Sequence, residues 1–99
     1  MRPIHTARVD KVRPVLVLTR EAVRPHRTRV TVAPITSTVR GLATEVPVGL
    51  RNGIDRESVV SCDNIATIDA ELLGPCIGYL LPDQEPPLSE AIRVAFDLE

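Results

Sequence analysis

The stretch Lys11–Arg20, KVRPVLVLTR, decides the fold of this chain. Five consecutive apolar or β-branched residues, Val15 to Thr19, follow an Arg-Pro pair, and such a run is typical of a buried strand. Pro14 disfavours helical backbone at Arg13 and marks where the strand begins. The guanidinium of Arg13 is therefore expected at the mouth of a rigid element, where a functional group is held well. The alternative is a surface arginine that happens to start a strand.

Similar short apolar runs on both sides of this strand predict a mostly β chain. A first strand, Pro3–Val9, reaches it through a tight connection at Asp10 and Lys11. A third strand is expected at Arg29–Ile35, which is rich in β-branched residues. Pro47 lacks an N–H group, so the strand that contains it is expected near a sheet edge. The later strands and extended segments are expected at Ala43–Val48, Ser58–Asp63, Ile65–Asp69 and Ile77–Leu81.

The apolar period changes at the C-terminal end of the chain. Asp83 is the expected N-cap of a helix over about 84–97, and Pro86 and Pro87 fit its first turn, where missing N–H groups cost little. Strands followed by one helix predict a single domain over 1–99, with a small antiparallel, barrel-like sheet and a helix packed on it. The apolar stripe of this helix consists of Leu88, Ala91, Ile92, Ala95 and Phe96.

Composition and charge restrict the classes of function. The 99 residues allow one modest core, and a chain of this size is often helped by pairing with a second copy. Tyr79 and Phe96 are the only aromatic residues, so stacking on bases cannot dominate an affinity for nucleic acid. Residues 1–51 carry ten basic and three acidic side chains, whereas residues 52–99 carry two and ten. This asymmetry suggests a basic face that attracts phosphate, unless the two halves interleave in space.

The cysteines and the hydropathy pattern predict a protein without a metal or a membrane anchor. Cys62 and Cys76 lack metal-ligand spacing, and both are expected to be reduced and buried. No metal and no other cofactor is expected. The sequence shows no apolar N-terminal segment with a cleavage site and no run of membrane length, so we expect a cytoplasmic location and no membrane partner.

Two further polar segments are candidates for a functional site. The third strand leads into Thr36, Ser37, Thr38 and then Arg40, and hydroxyls with a cation at a strand end can hold a phosphate. The alternative is turn chemistry, in which these hydroxyls bond nearby backbone groups. The charged loop after the second strand offers phosphates an attraction that is independent of nucleotide sequence, through Arg20, Arg24, Arg27 and Arg29.

Three segments in order resemble the MazF/PemK family of toxin endoribonucleases: RPVLVLT (13–19), APITS (33–37) and RESVVSCDNIATID (56–69). The resemblance covers nearly the whole chain. It implies a small SH3-like antiparallel barrel of the CcdB/MazF type with a C-terminal helix, and a homodimer. It also implies the toxin of a type II toxin–antitoxin system, which arrests translation and growth and is neutralised by a cognate antitoxin. Its substrate would be single-stranded messenger, ribosomal or transfer RNA, cut at short sequences without a metal.

The resemblance also implies roles for particular residues. Catalysis is assigned to Arg13 and Thr36, and Ala66 stands where the family has a basic residue, so one phosphate contact does not carry over. The connection between the first two strands is shorter than in many members, and its contacts do not carry over either. RNA contacts carry over to Ser58, Asp63 and Asn64, to which the phosphate-binding segments above add Arg20 and Ser37.

The chemistry of RNA cleavage can be weighed against these residues. The 2′-hydroxyl of RNA can attack the adjacent phosphorus without water or metal, but it needs a proton acceptor, a proton donor and stabilisation of the negative charge. Arginine suits the last task through its planar fork of donors, and it fails as a base because its pKa is above about 12. We therefore expect Arg13 to clamp the phosphate, and it is also a candidate proton donor. Thr36 is expected to orient a phosphate oxygen or the leaving group. The general base is not assigned.

Two other functions are compatible with the same barrel. The first is a protein-binding toxin without catalysis, like the CcdB toxins that poison DNA gyrase through an aromatic-containing C-terminal tripeptide. The segment AFDLE at 95–99 lacks a tryptophan, and the chain retains both Arg13 and Thr36, so the nuclease is favoured. The second is an inactive barrel that binds nucleic acid.

Overall fold

The computed structural model describes residues 1–99 and contains seven strands and one α-helix. Short 3-10 turns connect several of the strands. The elements are β1 (Pro3–Val9), β2 (Lys11–Val17), β3 (Arg29–Thr36), β4 (Glu45–Val48), β5 (Ser58–Ser61), β6 (Ala66–Asp69), β7 (Leu73–Tyr79) and α1 (Glu85–Ala95).

β3 is the central strand of the sheet. It pairs antiparallel with β2 on one side, and on its other side it pairs first with β6 and then with β5. The 3-10 turn Cys62–Asn64 joins β5 to β6 along this side. The full order is β4-β5-β3-β2-β1-β7, with β6 beside β3, so β4 and β7 are unpaired edges and the sheet does not close.

A tight hairpin joins β1 to β2. Its connection is Asp10 alone, which adopts a φ of 76°, a left-handed conformation that aspartate tolerates better than most residues. The register runs from Val9 opposite Lys11 to Ile4 opposite Leu16. The predicted tight connection is therefore confirmed, and it fixes where Arg13 stands relative to the neighbouring strands.

Two apolar clusters cover the two faces of the sheet. The larger one contains Leu16 and Ile35 and is covered by α1, whose Leu88 is buried against it. The smaller one lies on the opposite face of β2 and β3 and includes Val15 and Val32. Because successive residues of a strand alternate between faces, one side of β2 and β3 belongs to the main core and the other is free to carry a site.

The predicted fold class is confirmed as mainly antiparallel β with a C-terminal helix, although the barrel stays open. The position of the last strand was wrong, since β7 spans Leu73–Tyr79 rather than Ile77–Leu81. Its sequence, LGPCIGY, lacks an alternating apolar pattern because most of this edge strand is exposed. For the same reason Cys76 is exposed, whereas Cys62 is buried as predicted.

Element boundaries differ from the sequence prediction at several other places. β2 spans Lys11–Val17 and not 13–19, so Arg13 lies inside the strand, and β5 ends at Ser61, where a 3-10 turn begins. β4 begins at Glu45 and not at Ala43. The helix begins at Glu85 with Gln84 as its N-cap, and Asp83 instead forms an ion pair with Arg51 at 2.7 Å. Its proline pair lies in the first turn, as predicted. With eleven residues, α1 falls short of the length and apolarity of a membrane-crossing helix.

Candidate active site

A groove of about 850 Å³ lies on the face of β2, β3 and β6 opposite the main core. Its floor is apolar, since alternate residues of the three paired strands project into it. The floor consists of Val15, Val32, Pro34, Ala66 and Ile68. Its rim is polar and consists of Asp10, Arg13, Thr36, Thr38, Arg40, Glu45, Ser61, Asp63 and Asn64.

Arg13 and Thr36 are brought together by the register of β2 and β3. The pairing of these strands ends with Val15 opposite Pro34, which has no N–H group to extend the ladder. Continuing the same register by two residues places Arg13 opposite Thr36, and both line the groove. Two segments far apart in the sequence thus contribute neighbouring side chains to one rim.

The guanidinium of Arg13 has an unused donor. Its Nε atom is buried and makes no hydrogen bond, although the side chain as a whole is half-buried. A buried donor without a partner costs about 1–3 kcal/mol. Arg13 also forms no ion pair, and its side chain lines the groove, so the arrangement favours phosphate or carboxylate beside its guanidinium.

The hydroxyl of Thr36 is also oriented for donation. Its Oγ1 atom accepts a hydrogen bond from the backbone N–H of Thr38 at 3.1 Å. One lone pair is thereby occupied while the hydroxyl proton stays available. Turn chemistry and anion binding are therefore compatible at this residue, and they were alternatives in the sequence analysis.

The acid–amide pair lies on the 3-10 turn between β5 and β6. Asp63 accepts a 2.7 Å hydrogen bond from the hydroxyl of Thr44, and Asn64 donates to the hydroxyl of Ser61 at 2.8 Å. Both side chains are exposed on the groove rim. Beneath them, burial and the charge of Asp63 raise the pKa of the Cys62 thiol, which stays protonated at neutral pH.

Glu45 is a site residue that sequence reasoning missed. Its carboxylate accepts hydrogen bonds from three successive backbone N–H groups, those of Arg40 at 3.2 Å, Gly41 at 2.9 Å and Leu42 at 3.1 Å. Such a row of amides forms a concave anion site, and Glu45 fills it from within the chain. The carboxylate thereby fixes the loop that carries Arg40 on the groove rim. No local sequence motif predicts these contacts between the Glu45 carboxylate and the backbone N–H groups of residues 40–42.

Three predicted RNA-binding residues do not line this groove. Ser37 is exposed beside Thr36 but lies outside the lining. Ser58 is buried, and its hydroxyl donates to the backbone carbonyl of Arg56 at 3.1 Å. Arg20 lies beyond the other end of β2, in a second groove of about 380 Å³. The structure thus gathers Arg13, Thr36, Asp63 and Asn64 of the predicted set in one place.

The groove is not the basic face that the charge asymmetry suggested. Its lining contains two arginines and three carboxylates, because both halves of the chain contribute to it. Neither His5 nor His26 is part of the lining, and His5 bonds the carbonyl of Gly74 through Nδ1. No group of three or more His, Cys, Asp or Glu side chains could hold a metal ion.

Residues 2–96 match the family described as the PemK-like, MazF-like toxin of type II toxin–antitoxin systems. The chain belongs to this family. It is 69% identical to the endoribonuclease MazF3 of Mycobacterium tuberculosis over 99 aligned residues. The alignment covers 100% of this chain and 96% of the relative. The chain is accordingly a toxin endoribonuclease, and the protein-binding alternative is not supported.

Solved structures agree with this assignment. The structure of M. tuberculosis toxin MazF-mt6 superimposes with a TM-score of 0.97 at 68% identity, over 99% of both chains. A mycobacterial endoribonuclease in complex with its cognate antitoxin superimposes with a TM-score of 0.87 at 23% identity, over 98% of this chain and 93% of that one. The second match shows the shared fold alone.

Proposed function

We propose that the chain cleaves single-stranded RNA without a metal, by directing the substrate's 2′-hydroxyl at the adjacent phosphorus in the groove beside Arg13 and Thr36. The observation that carries this proposal is the guanidinium of Arg13, which has no ion-pair partner and lines the same groove as the hydroxyl of Thr36. Both donors line one groove and come from paired strands, which suits an anion with several oxygens.

In this mechanism Arg13 stabilises charge and does not take a proton. The 2′-oxygen forms a bond to phosphorus, the bond from phosphorus to the 5′-oxygen breaks, and negative charge develops on the non-bridging oxygens. The guanidinium offers parallel donors to those oxygens. The departing 5′-oxygen takes a proton from water, and the products are a 2′,3′-cyclic phosphate and a 5′-hydroxyl. Thr36 donates to a phosphate oxygen or to the departing 5′-oxygen.

The carboxylates of the groove differ in their availability as proton acceptors. Glu45 already accepts three backbone N–H groups, and Asp63 accepts the hydroxyl of Thr44. Asp10, at the hairpin tip, lines the groove and makes no side-chain hydrogen bond. We therefore assign to Asp10 the removal of the 2′-hydroxyl proton. An Asp10→Asn variant should lose activity while staying folded.

Recognition of the RNA sequence is assigned to the groove rim. Asp63 and Asn64 present a carboxylate and an amide on an exposed turn, which suits the edges of splayed bases in a single strand. Ser37 can reach a flanking phosphate from the surface. The buried hydroxyl of Ser58 is bonded to backbone, so its contribution to RNA binding would be to support this wall. Messenger, ribosomal and transfer RNA all provide single-stranded targets.

The partners of the chain are proposed from its relatives and its charge. A related mycobacterial endoribonuclease is described in complex with its cognate antitoxin. We assign to this chain a cognate antitoxin with a flexible acidic segment, complementary to its arginine-rich N-terminal half. A homodimer would supplement the modest core of a 99-residue chain. A cytoplasmic location follows from a substrate that is cellular RNA.

The test is cleavage of a mixed RNA in excess EDTA, with mapping of the new ends. Wild type should make discrete cuts, and Arg13→Ala should lower the rate by about 100- to 1000-fold while staying folded. Arg8→Ala is the matched control, because Arg8 is an exposed arginine of the same hairpin outside the groove. Full activity of a folded Arg13→Ala protein would refute the assignment. Loss of all cleavage in EDTA, restored by a divalent metal, would refute the metal-free mechanism.

A further inference from the structure

The active groove alone cannot provide the electrostatic affinity that RNA binding requires. RNA carries one negative charge per nucleotide, and proteins bind it largely through cations that replace its counterions. The groove lining contains only Arg13 and Arg40 against three carboxylates. Backbone N–H groups offset part of the negative charge of Glu45, but the charges of the lining still do not sum to a positive value. Cations outside this lining are therefore expected to contribute to the attraction for the RNA backbone.

The densest run of unpaired positive charge in the chain lies in the segment 20–29, here called the basic turn, while Arg8 and Lys11 on the β1–β2 hairpin also form no ion pair. It carries four arginines and a single carboxylate, that of Glu21. The ion pairs of the protein involve Arg2, Arg51 and Arg56, and no arginine of the basic turn takes part in one. The arginines of the basic turn are Arg20, Arg24, Arg27 and Arg29.

The basic turn follows the same strand that begins at the active groove. Val15 lines the active groove, and Val17, two residues further along the same face of β2, lines the second groove. The second groove is also lined by Arg20 and Arg24. At about 3.3 Å per residue, β2 and its extension separate Arg13 from Arg20 by roughly 20 Å.

An exposed aromatic side chain accompanies this charge. Tyr79, at the end of β7, is 46% exposed. The pKa of its phenol is raised, chiefly by a hydrogen bond with Cys76, while the positive charge of Arg24 acts in the opposite direction. Tyr79 pairs with Pro3, which lines the second groove together with Arg20 and Arg24, so an exposed aromatic ring stands at the edge of this groove.

We propose that the basic turn is a second RNA-binding surface, which holds backbone phosphates of the substrate strand about 20 Å from the scissile phosphate. This inference rests on the proposed function and adds an extended substrate to it. At about 3.4 Å per stacked nucleotide, the strand reaches the basic turn about six nucleotides from the cut. RNA that is long enough to span both surfaces binds tightly and with a steep salt dependence, whereas a shorter RNA contacts the groove alone.

The test compares three-arginine variants on short and long RNA. The test variant carries Arg20→Gln, Arg24→Gln and Arg27→Gln. The RNAs contain the mapped cleavage sequence with about three or about twelve nucleotides on each side, and a 2′-deoxy nucleotide at the cut prevents cleavage while binding is measured. The matched control removes three arginines elsewhere, through Arg51→Gln, Arg56→Gln and Arg93→Gln.

The expected result is specific to the long RNA. The slope of log K against log salt should fall by about 2 in the test variant, at about 0.7 for each lost phosphate contact, and it should not change in the control variant. Binding of the short RNA and its single-turnover cleavage rate, measured without the deoxy substitution, should stay within about twofold of wild type. Replacing the same three arginines with lysine should restore most of the slope, because each charge is retained.

Three results would overturn the inference. Equal salt slopes of the test and control variants on the long RNA would show that the basic turn makes no contact with RNA phosphates. An equal loss on short and long RNA would place its effect in the active groove. Unchanged RNA binding together with lost binding of an acidic peptide would make the turn a protein-docking surface. A wild type that binds long RNA with the expected slope but cuts no RNA would refute the proposed function instead, so the two failures are distinguishable.

Discussion

The substitution Asn52→Ala is expected to lower the free energy of unfolding by about 3–5 kcal/mol. The Asn52 side chain is fully buried and makes four hydrogen bonds. It accepts from the N–H of Gly49 at 3.1 Å and from Nε2 of Gln84 at 3.1 Å. It donates to the carbonyl of Tyr79 at 2.9 Å and to Oε1 of Gln84 at 2.6 Å. The two buried amides thus tie the 50–52 turn to the end of β7 and to the start of α1.

The magnitude follows from these four contacts. A buried hydrogen bond contributes about 1 kcal/mol net, and a partner left without a bond costs about 1–3 kcal/mol. Gln84 keeps the N–H of Leu81 and the carbonyl of Pro47 as partners after the substitution, so it is only partly stranded. The sum is about 4 kcal/mol, which is a large share of the roughly 5–15 kcal/mol of a typical small domain.

The assay is urea unfolding, followed by circular dichroism at one fixed protein concentration, since any self-association shifts the apparent stability. With a slope near 2 kcal/mol per molar, the midpoint of Asn52→Ala should fall by about 2 M. Ser89→Ala, at an exposed position of α1, is the control. Gln84→Ala completes a double-mutant cycle, in which the coupling should be about 1–3 kcal/mol. A loss below about 1 kcal/mol, or strict additivity, would refute the reasoning.

Three other perturbations test separate parts of the structure. Gly78→Ala should prevent normal folding, because a Cβ atom there would lie 1.9 Å from a backbone carbonyl oxygen; a wild-type melting temperature would contradict the observed close approach. Thr44→Val removes the hydroxyl that holds Asp63, and it should weaken substrate binding about fivefold or more, seen as a raised KM, with the fold retained. A thiol reagent should label Cys76 in the folded protein and reach Cys62 only on unfolding, because the latter is buried and its pKa is raised; equal labelling would contradict this burial.

The sequence was sufficient for the strand-rich fold, and it singled out two residues that the structure places in one groove, Arg13 and Thr36. The apolar run after Pro14 and the strand Arg29–Ile35 carry strong local signals, and these two strands pair as the centre of the sheet. Arg13 and Thr36 each stand near the end of one of these strands, so their proximity followed once the strands were paired. β7 escaped detection because its residues are small, polar or exposed, and its pairing with β1 depends on tertiary contacts.

The rest of the groove depends on distances that no local pattern encodes. Glu45 and Thr44 act through the Arg40–Leu42 backbone and through Asp63, which lie close to them only in the folded chain. Arg20 was grouped with the RNA-binding residues by its charge, but the length of β2 separates it from Arg13. The sequence shows that Arg20 is charged, but it does not show at which end of the sheet this charge lies.

The way in which β5 and β6 share one side of β3 has a consequence for the evolution of this protein. The proposed catalytic side chains stand on two strands whose register is fixed by the core, so mutation can hardly move them. Asp63 and Asn64 stand instead on a three-residue turn between two short strands, held by side-chain contacts. Under the proposed recognition role of this turn, new residues there would retarget the enzyme to other nucleotide sequences while the cleavage chemistry stays intact. A lineage with duplicated copies of the gene could in this way acquire a set of toxins with different targets at small mutational distance.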